Sequence, residues 1–108
     1  MNEAVFLYST APDEATARRI ASALVEARLA ACANLFPGMV SIYRWEGAIE
    51  TGNEVAVIFK TVPAAAEEAC AMIRRLHPYE TPCVVALQID PVGSNPAFLD
   101  WIAAETKK

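Results

Sequence analysis

The chain is poor in the residues that most active sites are built from. It has 108 residues but one histidine, three cysteines and four glycines. Cys32, Cys70 and Cys83 are odd in number and form no CxxC pair. That argues against a disulfide framework, a zinc ribbon and a thioredoxin-like redox site. There is no Gly-rich phosphate loop, no GxSxG elbow and no HExxH helix, so the commonest nucleotide-binding, hydrolase and metalloprotease signatures are missing. Ser9 and Thr10 have no histidine nearby in sequence to act as base. Basic residues are few, with nine Lys and Arg against thirteen Asp and Glu, for a net charge of −4. Arg18–Arg19 and Arg74–Arg75 fall on expected helices beside acids, so nucleic acid is not an expected partner. No run of about eighteen apolar residues suits a membrane span. The opening MNEAVFLYST carries an acid and no basic leader; it does not read as a signal peptide, and a cytoplasmic protein is the expectation.

What is abundant is apolar material. The composition is 55% hydrophobic against 20% charged, enough for one core and rich for a monomer. Length and the lack of linkers, repeats or low-complexity segments give a single domain over residues 1–108. The most unusual stretch is CANLFPGMVSIYRWEGAIETGNEVAVIFKT, Cys32 to Thr61. Two runs rich in β-branched and aromatic residues flank a polar tip at Glu46–Gly47, the pattern of a β-hairpin. Strands usually run five or six residues. A strand from Ala33 to Trp45 spans roughly 40 Å at about 3.3 Å per residue, against a radius of gyration of about 13 Å for a domain this size. The tip therefore reaches beyond its own domain, carrying Tyr43, Trp45 and Ile49. A second subunit is the expected cover.

Around this hairpin the chain reads as alternating elements. Ala4–Thr10 is an apolar strand. Pro12, Asp13 and Glu14 start a helix to about Arg28, with Ala17, Ile20, Ala21, Leu24 and Val25 on one face. Pro37–Gly38 bends the first hairpin strand, because Pro cannot donate to the ladder and Gly permits a bulge. Beyond it, alternation puts Ser41, Tyr43 and Trp45 on one face and Val40, Ile42 and Arg44 on the other. The return strand has its own expected irregularity at Thr51-Gly52-Asn53, then Val55 to Thr61 is apolar on both faces as far as Lys60. Val62–Pro63 opens a second helix to Leu76, with Ala66, Ala69, Ile73 and Leu76 as its stripe. Cys83–Ile89 reads as a final buried strand. Asn95–Pro96 is an N-cap and N1 pair for a closing helix through Glu105, with Phe98, Leu99 and Ile102 facing in. The order βαββαβ plus one helix is that of the ferredoxin-like, split-βαβ α+β fold, an antiparallel sheet with both main helices on one face. Its other face is left open.

The candidate functional residues are correspondingly sparse. His77 lies in the loop His77-Pro78-Tyr79-Glu80-Thr81-Pro82, whose two prolines fix the backbone. It either holds its own loop or contacts something bound; an imidazole beside a carboxylate suits a borderline metal. Lys60 ends an otherwise apolar strand, as a snorkelling side chain or as an anion contact. Tyr43 and Trp45 are interface packing or the wall of a small pocket. Glu46, Glu50 and Glu54 read as solvated charges of the tip. Catalysis by His77 as acid and base is the weakest reading, because only Glu80 in its segment could assist it.

The strings STAPDEATA, LAACANLFPGMVSIYRWEGAIE, LHPYETPCVVALQI and FLDWI resemble the CutA divalent-cation tolerance family over nearly the whole chain, with SIYRWEG and HPYETP as its specific blocks. The resemblance implies a ferredoxin-like subunit in a tight homotrimer similar to PII-type signalling proteins, hairpins extended onto neighbours, ligands in clefts between subunits, copper or another divalent metal ion as ligand, a role in the response to metal ions, and no enzymatic activity. It implies three copper ligands, of which only His77 is present: Ser9 stands where a cysteine is expected, and Leu76 where a second histidine is. Cys32 and Cys83 are the additional metal ligands to consider. The expected ligand cleft is Tyr43, Trp45, Lys60, His77, Tyr79 and Glu80. The alternative is a trimer that scaffolds a partner protein and binds no metal.

Overall fold

In the computed structural model, residues 2–106 are described. They form β1 (Ala4–Ala11), α1 (Glu14–Glu26), β2 (Cys32–Trp45), β3 (Ala48–Thr61), α2 (Pro63–Leu76), β4 (Val84–Ile89) and α3 (Pro96–Glu105). The strands make one antiparallel sheet in the order β2-β3-β1-β4. This is the α+β, ferredoxin-like arrangement expected from the element order.

Strand alternation divides the sheet into two unlike faces. Leu7, Ser9 and Ala11 of β1 pair across the ladder with Phe59, Val57 and Val55 of β3, and all six are buried. Over this face lie α1, with Ala17, Ile20 and Leu24, and α2, with Ala65, Ala69 and Ile73. The alanines let the helices approach the sheet closely, and the branched side chains fill the space between. Asp13 caps α1, its side chain accepting from the Thr16 N–H at 2.7 Å. Thr61 is buried with its hydroxyl donating to the Leu29 carbonyl at 2.7 Å, which fixes the entry to β2.

The second face carries Phe6, Tyr8 and Thr10 of β1, half-buried, with Ile58 and Lys60 of β3. The third helix closes only one end of the sheet, where Leu99 and Ile102 pack with Ala4, Phe6 and Ile89. Arg28 fastens that helix by donating to the carbonyls of Ala104 and Glu105, at 2.9 and 3.3 Å. The rest of the face has no cover among the described residues.

Several expectations change here. Val25 is exposed, since the helix turns it past the sheet edge. Phe98 faces outward from α3, and only Leu99 and Ile102 point in. The strand β4 is not buried: it is an edge strand whose Val85 and Leu87 are about half exposed on the uncovered face. The bulge at Pro37–Gly38 is present, between Phe36 and Met39, with Gly38 at φ 79°. No break occurs at Thr51-Gly52-Asn53, where the ladder to Ile42, Ser41 and Val40 is continuous. One bulge in β2 suffices to turn the hairpin.

The hairpin strands are 14 residues each and turn at Glu46 and Gly47, both with positive φ. The subunit is 46 Å in its longest extent, with a radius of gyration of 14.5 Å. Ile42 is 73% exposed, and Trp45 and Ile49 are each 61% exposed. No helix of the described chain is long and apolar enough to cross a membrane.

Candidate functional site

The bend in β2 brings the hairpin base over the end of β1. Met39 pairs with Glu54 there, and the Tyr8 hydroxyl donates to the Met39 sulfur at 3.5 Å. The loop after α2 arrives at the same place, because His77 is the C-cap of that helix, its N–H donating to the Ile73 carbonyl.

His77 is buried and uses both ring nitrogens. The Tyr79 N–H donates to Nδ1 at 3.1 Å, so Nδ1 is an acceptor. Nε2, 2.7 Å from the Thr10 carbonyl, must then be the donor. The ring is held as the neutral Nε2–H tautomer, tying the loop to β1. Tyr79 packs on it, with ring centroids 4.7 Å apart.

Glu54 is the polar centre of the group. Its Oε1 accepts from the Ser41 hydroxyl at 2.7 Å, and its Oε2 accepts from the Tyr79 hydroxyl at 3.3 Å. The Tyr43 ring lies over Gly52 on the same face: a Cβ at Gly52 would stand 3.8 Å from its hydroxyl. Partial burial pushes the Tyr79 phenol up, and the Glu54 carboxylate adds to the effect. The Glu54 carboxylate thus accepts from two hydroxyls, one of them on the loop that His77 ties to β1.

The expected cleft residues do not all meet within one subunit. Tyr79 reaches Glu54 and packs on His77, and Tyr43 lies over Gly52, two residues along β3 from Glu54. Trp45 is out at the hairpin tip. Glu80 is exposed and has no described hydrogen bond or ion pair to the group. Lys60 belongs to another place: it pairs with Phe6 and Cys32, four residues along β1 from Thr10, roughly 13 Å at about 3.3 Å per residue. There its Nζ lies 5.5 Å from the Phe6 ring centroid and 5.3 Å from that of Phe98. Cys32 is at the Lys60 end of the sheet and Cys83 at the His77 end, so the two thiols do not converge on one point. Glu54, which reads from the sequence as a solvated tip charge, is instead hydrogen-bonded by the Ser41 and Tyr79 hydroxyls at the hairpin base. An even spacing of six from Lys60 already put it on the open face.

A copper site is not assembled from one chain's side chains. Both His77 nitrogens are engaged, and the Ser9 hydroxyl donates to the Cys83 carbonyl at 2.7 Å. Partial burial raises the Cys32 and Cys83 thiols, with Lys60 opposing the effect at Cys32 and Glu54 adding to it at Cys83, so the metal-binding thiolate is disfavoured. Among the described residues no group of three or more His, Cys, Asp or Glu could hold a metal ion. The oxygen-rich surroundings of Glu54 suit a hard cation better than copper.

Comparison with known proteins adds a consistent assignment. The family model described as CutA1 divalent ion tolerance protein matches residues 5–105. A divalent-cation tolerance protein CutA from Thermus thermophilus is 43% identical over 106 residues, covering 98% of this chain and 99% of the relative. The crystal structure of CutA1 from Oryza sativa superposes with a TM-score of 0.94 at 32% identity, covering 99% of this chain and 96% of that one. The structure described as the periplasmic divalent cation tolerance protein CutA from Archaeoglobus fulgidus has a TM-score of 0.91 at 40% identity, covering 96% and 99%.

Proposed function

The chain belongs to the CutA1 divalent ion tolerance family, and on that premise we propose that it acts in metal-ion response as a non-catalytic homotrimer whose ligand cleft lies between subunits. The observation that carries the cleft is the convergence of the Ser41 and Tyr79 hydroxyls on Glu54, beside a loop locked by His77. A carboxylate so placed recognises a divalent cation or a small polar ligand, and a neighbouring subunit completes the donor set. The apolar hairpin and the uncovered sheet face support the oligomer. His77 is the one family copper ligand present, and its part is to fix the Tyr79 loop.

Calorimetric titration with Cu(II), Cu(I) and Mn(II) of wild type, Glu54→Gln and His77→Ala tests the reading. Binding by wild type that Glu54→Gln abolishes supports it. Equal binding by all three proteins removes Glu54 and His77 from the site. No binding by any of them favours the scaffolding trimer, whose partner then has to be sought directly.

A further inference from the structure

The third helix is held apart from the main core. Its two buried residues, Leu99 and Ile102, pack with Ala4 in a small cluster edged by Phe6, Ala31, Val62 and Ile89. The helices α1 and α2 and the covered sheet face share a different and larger one. Two buried side chains are little to set against the ordering of a ten-residue helix. The polar ties of α3 therefore carry weight. At its start Asn95 caps it, and on its first turns Asp100 accepts from the Asn2 amide at 2.8 Å. The turn before it holds Gly93 at φ 92°. A cavity of about 390 Å³ lies beside that turn, with Ala4, Ile89, Asp90 and Pro91 in its lining, so the turn has room to move.

The far end of α3 has no basic residue of its own in the last turn. The cation there comes from another element. Arg28 Nη2 donates to the Ala104 carbonyl at 2.9 Å and Nε to that of Glu105 at 3.3 Å. These are carbonyls that a helix end leaves unpaired, at the negative end of its dipole. Arg28 reaches them from a strained position. It follows α1 at φ 60°, where its N–H donates to the Val25 carbonyl and the Leu29 N–H to that of Leu24. Glycine takes this left-handed place freely and arginine does not. What the arginine adds is its hold on α3. We propose that α3 opens as a unit of its own, hinged at residues 90–94, and that Arg28 is the latch that sets how often it opens. Opening lifts Phe98 from Lys60 and bares Ala4, Phe6 and Ile89 at the end of the sheet. The device depends on neither the ligand cleft nor the oligomer proposed above.

Hydrogen exchange read by mass spectrometry on the full chain tests it, for wild type, Arg28→Ala and Arg28→Gly. In wild type the α3 amides are expected to exchange about a hundredfold faster, or more, than those of β1 and β3. Arg28→Ala keeps the strained backbone and removes the guanidinium. Its α3 exchange is expected to rise about tenfold further, with β1 and β3 unchanged. Arg28→Gly also relieves the strain, so the same rise in α3 should come with equal or stronger protection at Leu29 and Ala30, whose N–H groups bond to the Leu24 carbonyl. A rise confined to α3 in both variants supports the latch. Wild-type α3 amides that exchange together with β1 and β3, as one cooperative unit, overturn the separate opening. An Arg28→Ala protein whose α3 exchange is unchanged, or whose segments all speed alike, overturns the latch.

Discussion

The helix-covered half of the sheet and the projecting hairpin are written in the same two-residue alternation, yet one half buries its apolar residues and the other displays them. Phe59, Val57 and Val55 on β3 are sealed under α1 and α2. A few residues earlier on the same strand Ile49 is exposed, and Ile42 faces water on β2. The residue types do not distinguish the two halves; only the reach of the helices does. Exposed apolar residues grouped beyond the reach of a chain's own helices are the mark of an interaction surface, and the oligomeric reading proposed above rests on that contrast.

That contrast can be attacked from either side. The largest effect is expected in the covered half, where Phe59→Ala removes a fully buried ring and should destabilise folding by about 3–5 kcal/mol. Urea unfolding should show the loss at every protein concentration. Next, Thr61→Val leaves the buried Leu29 carbonyl without its donor, at a cost of about 1–3 kcal/mol in the same assay. In the hairpin, Ile42→Ser should alter the fold of a subunit by no more than about 0.5 kcal/mol. Its signature is different: the unfolding midpoint becomes less dependent on protein concentration, because the coupling of assembly to stability is weakened. A midpoint whose concentration dependence is untouched would erase the distinction between the two halves.

The smallest effect lies at the start of α1. The Thr16 backbone N–H and hydroxyl hold the Asp13 carboxyl below its ordinary value of 3.8. A depressed folded value means that the cap contributes above the unfolded value and is lost as pH falls through the lower one. Thermal melts of Asp13→Asn, which keeps a capping oxygen without the charge, should match wild type at pH 7. They should show a shallower decline below about pH 4. Identical acid limbs would deny Asp13 this part.

Much of the fold was legible because its signals are local. The periods of the strands and helices, Pro37–Gly38 as a bulge and Asn95–Pro96 as a helix start each depend on a few neighbouring residues. One miss is local, the irregularity expected at Thr51-Gly52-Asn53, where the ladder runs on unbroken; the others follow from long-range placement. Cys83–Ile89 reads as a buried strand from its side chains, but its edge position exposes it. Val25 and Phe98 sit at the margins of otherwise correct helix stripes. For the site, the His77–Tyr79 loop and Tyr43 could be picked out as isolated polar and aromatic groups in rigid surroundings. Lys60 could not be separated from them without the register that pairs it with Phe6. Glu54 was hidden by its regular spacing with Glu46 and Glu50, which made three carboxylates look alike, although of the three Glu54 alone is partly buried.

The most direct test of the contrast is sedimentation equilibrium of wild type beside Trp45→Glu, a change at the tip that touches none of the buried core. The wild type is expected as a single species of three chain masses, each 11.7 kDa, and Trp45→Glu as a folded species of lower mass. A wild type that sediments at the mass of one chain would contradict the assignment of the hairpin to assembly.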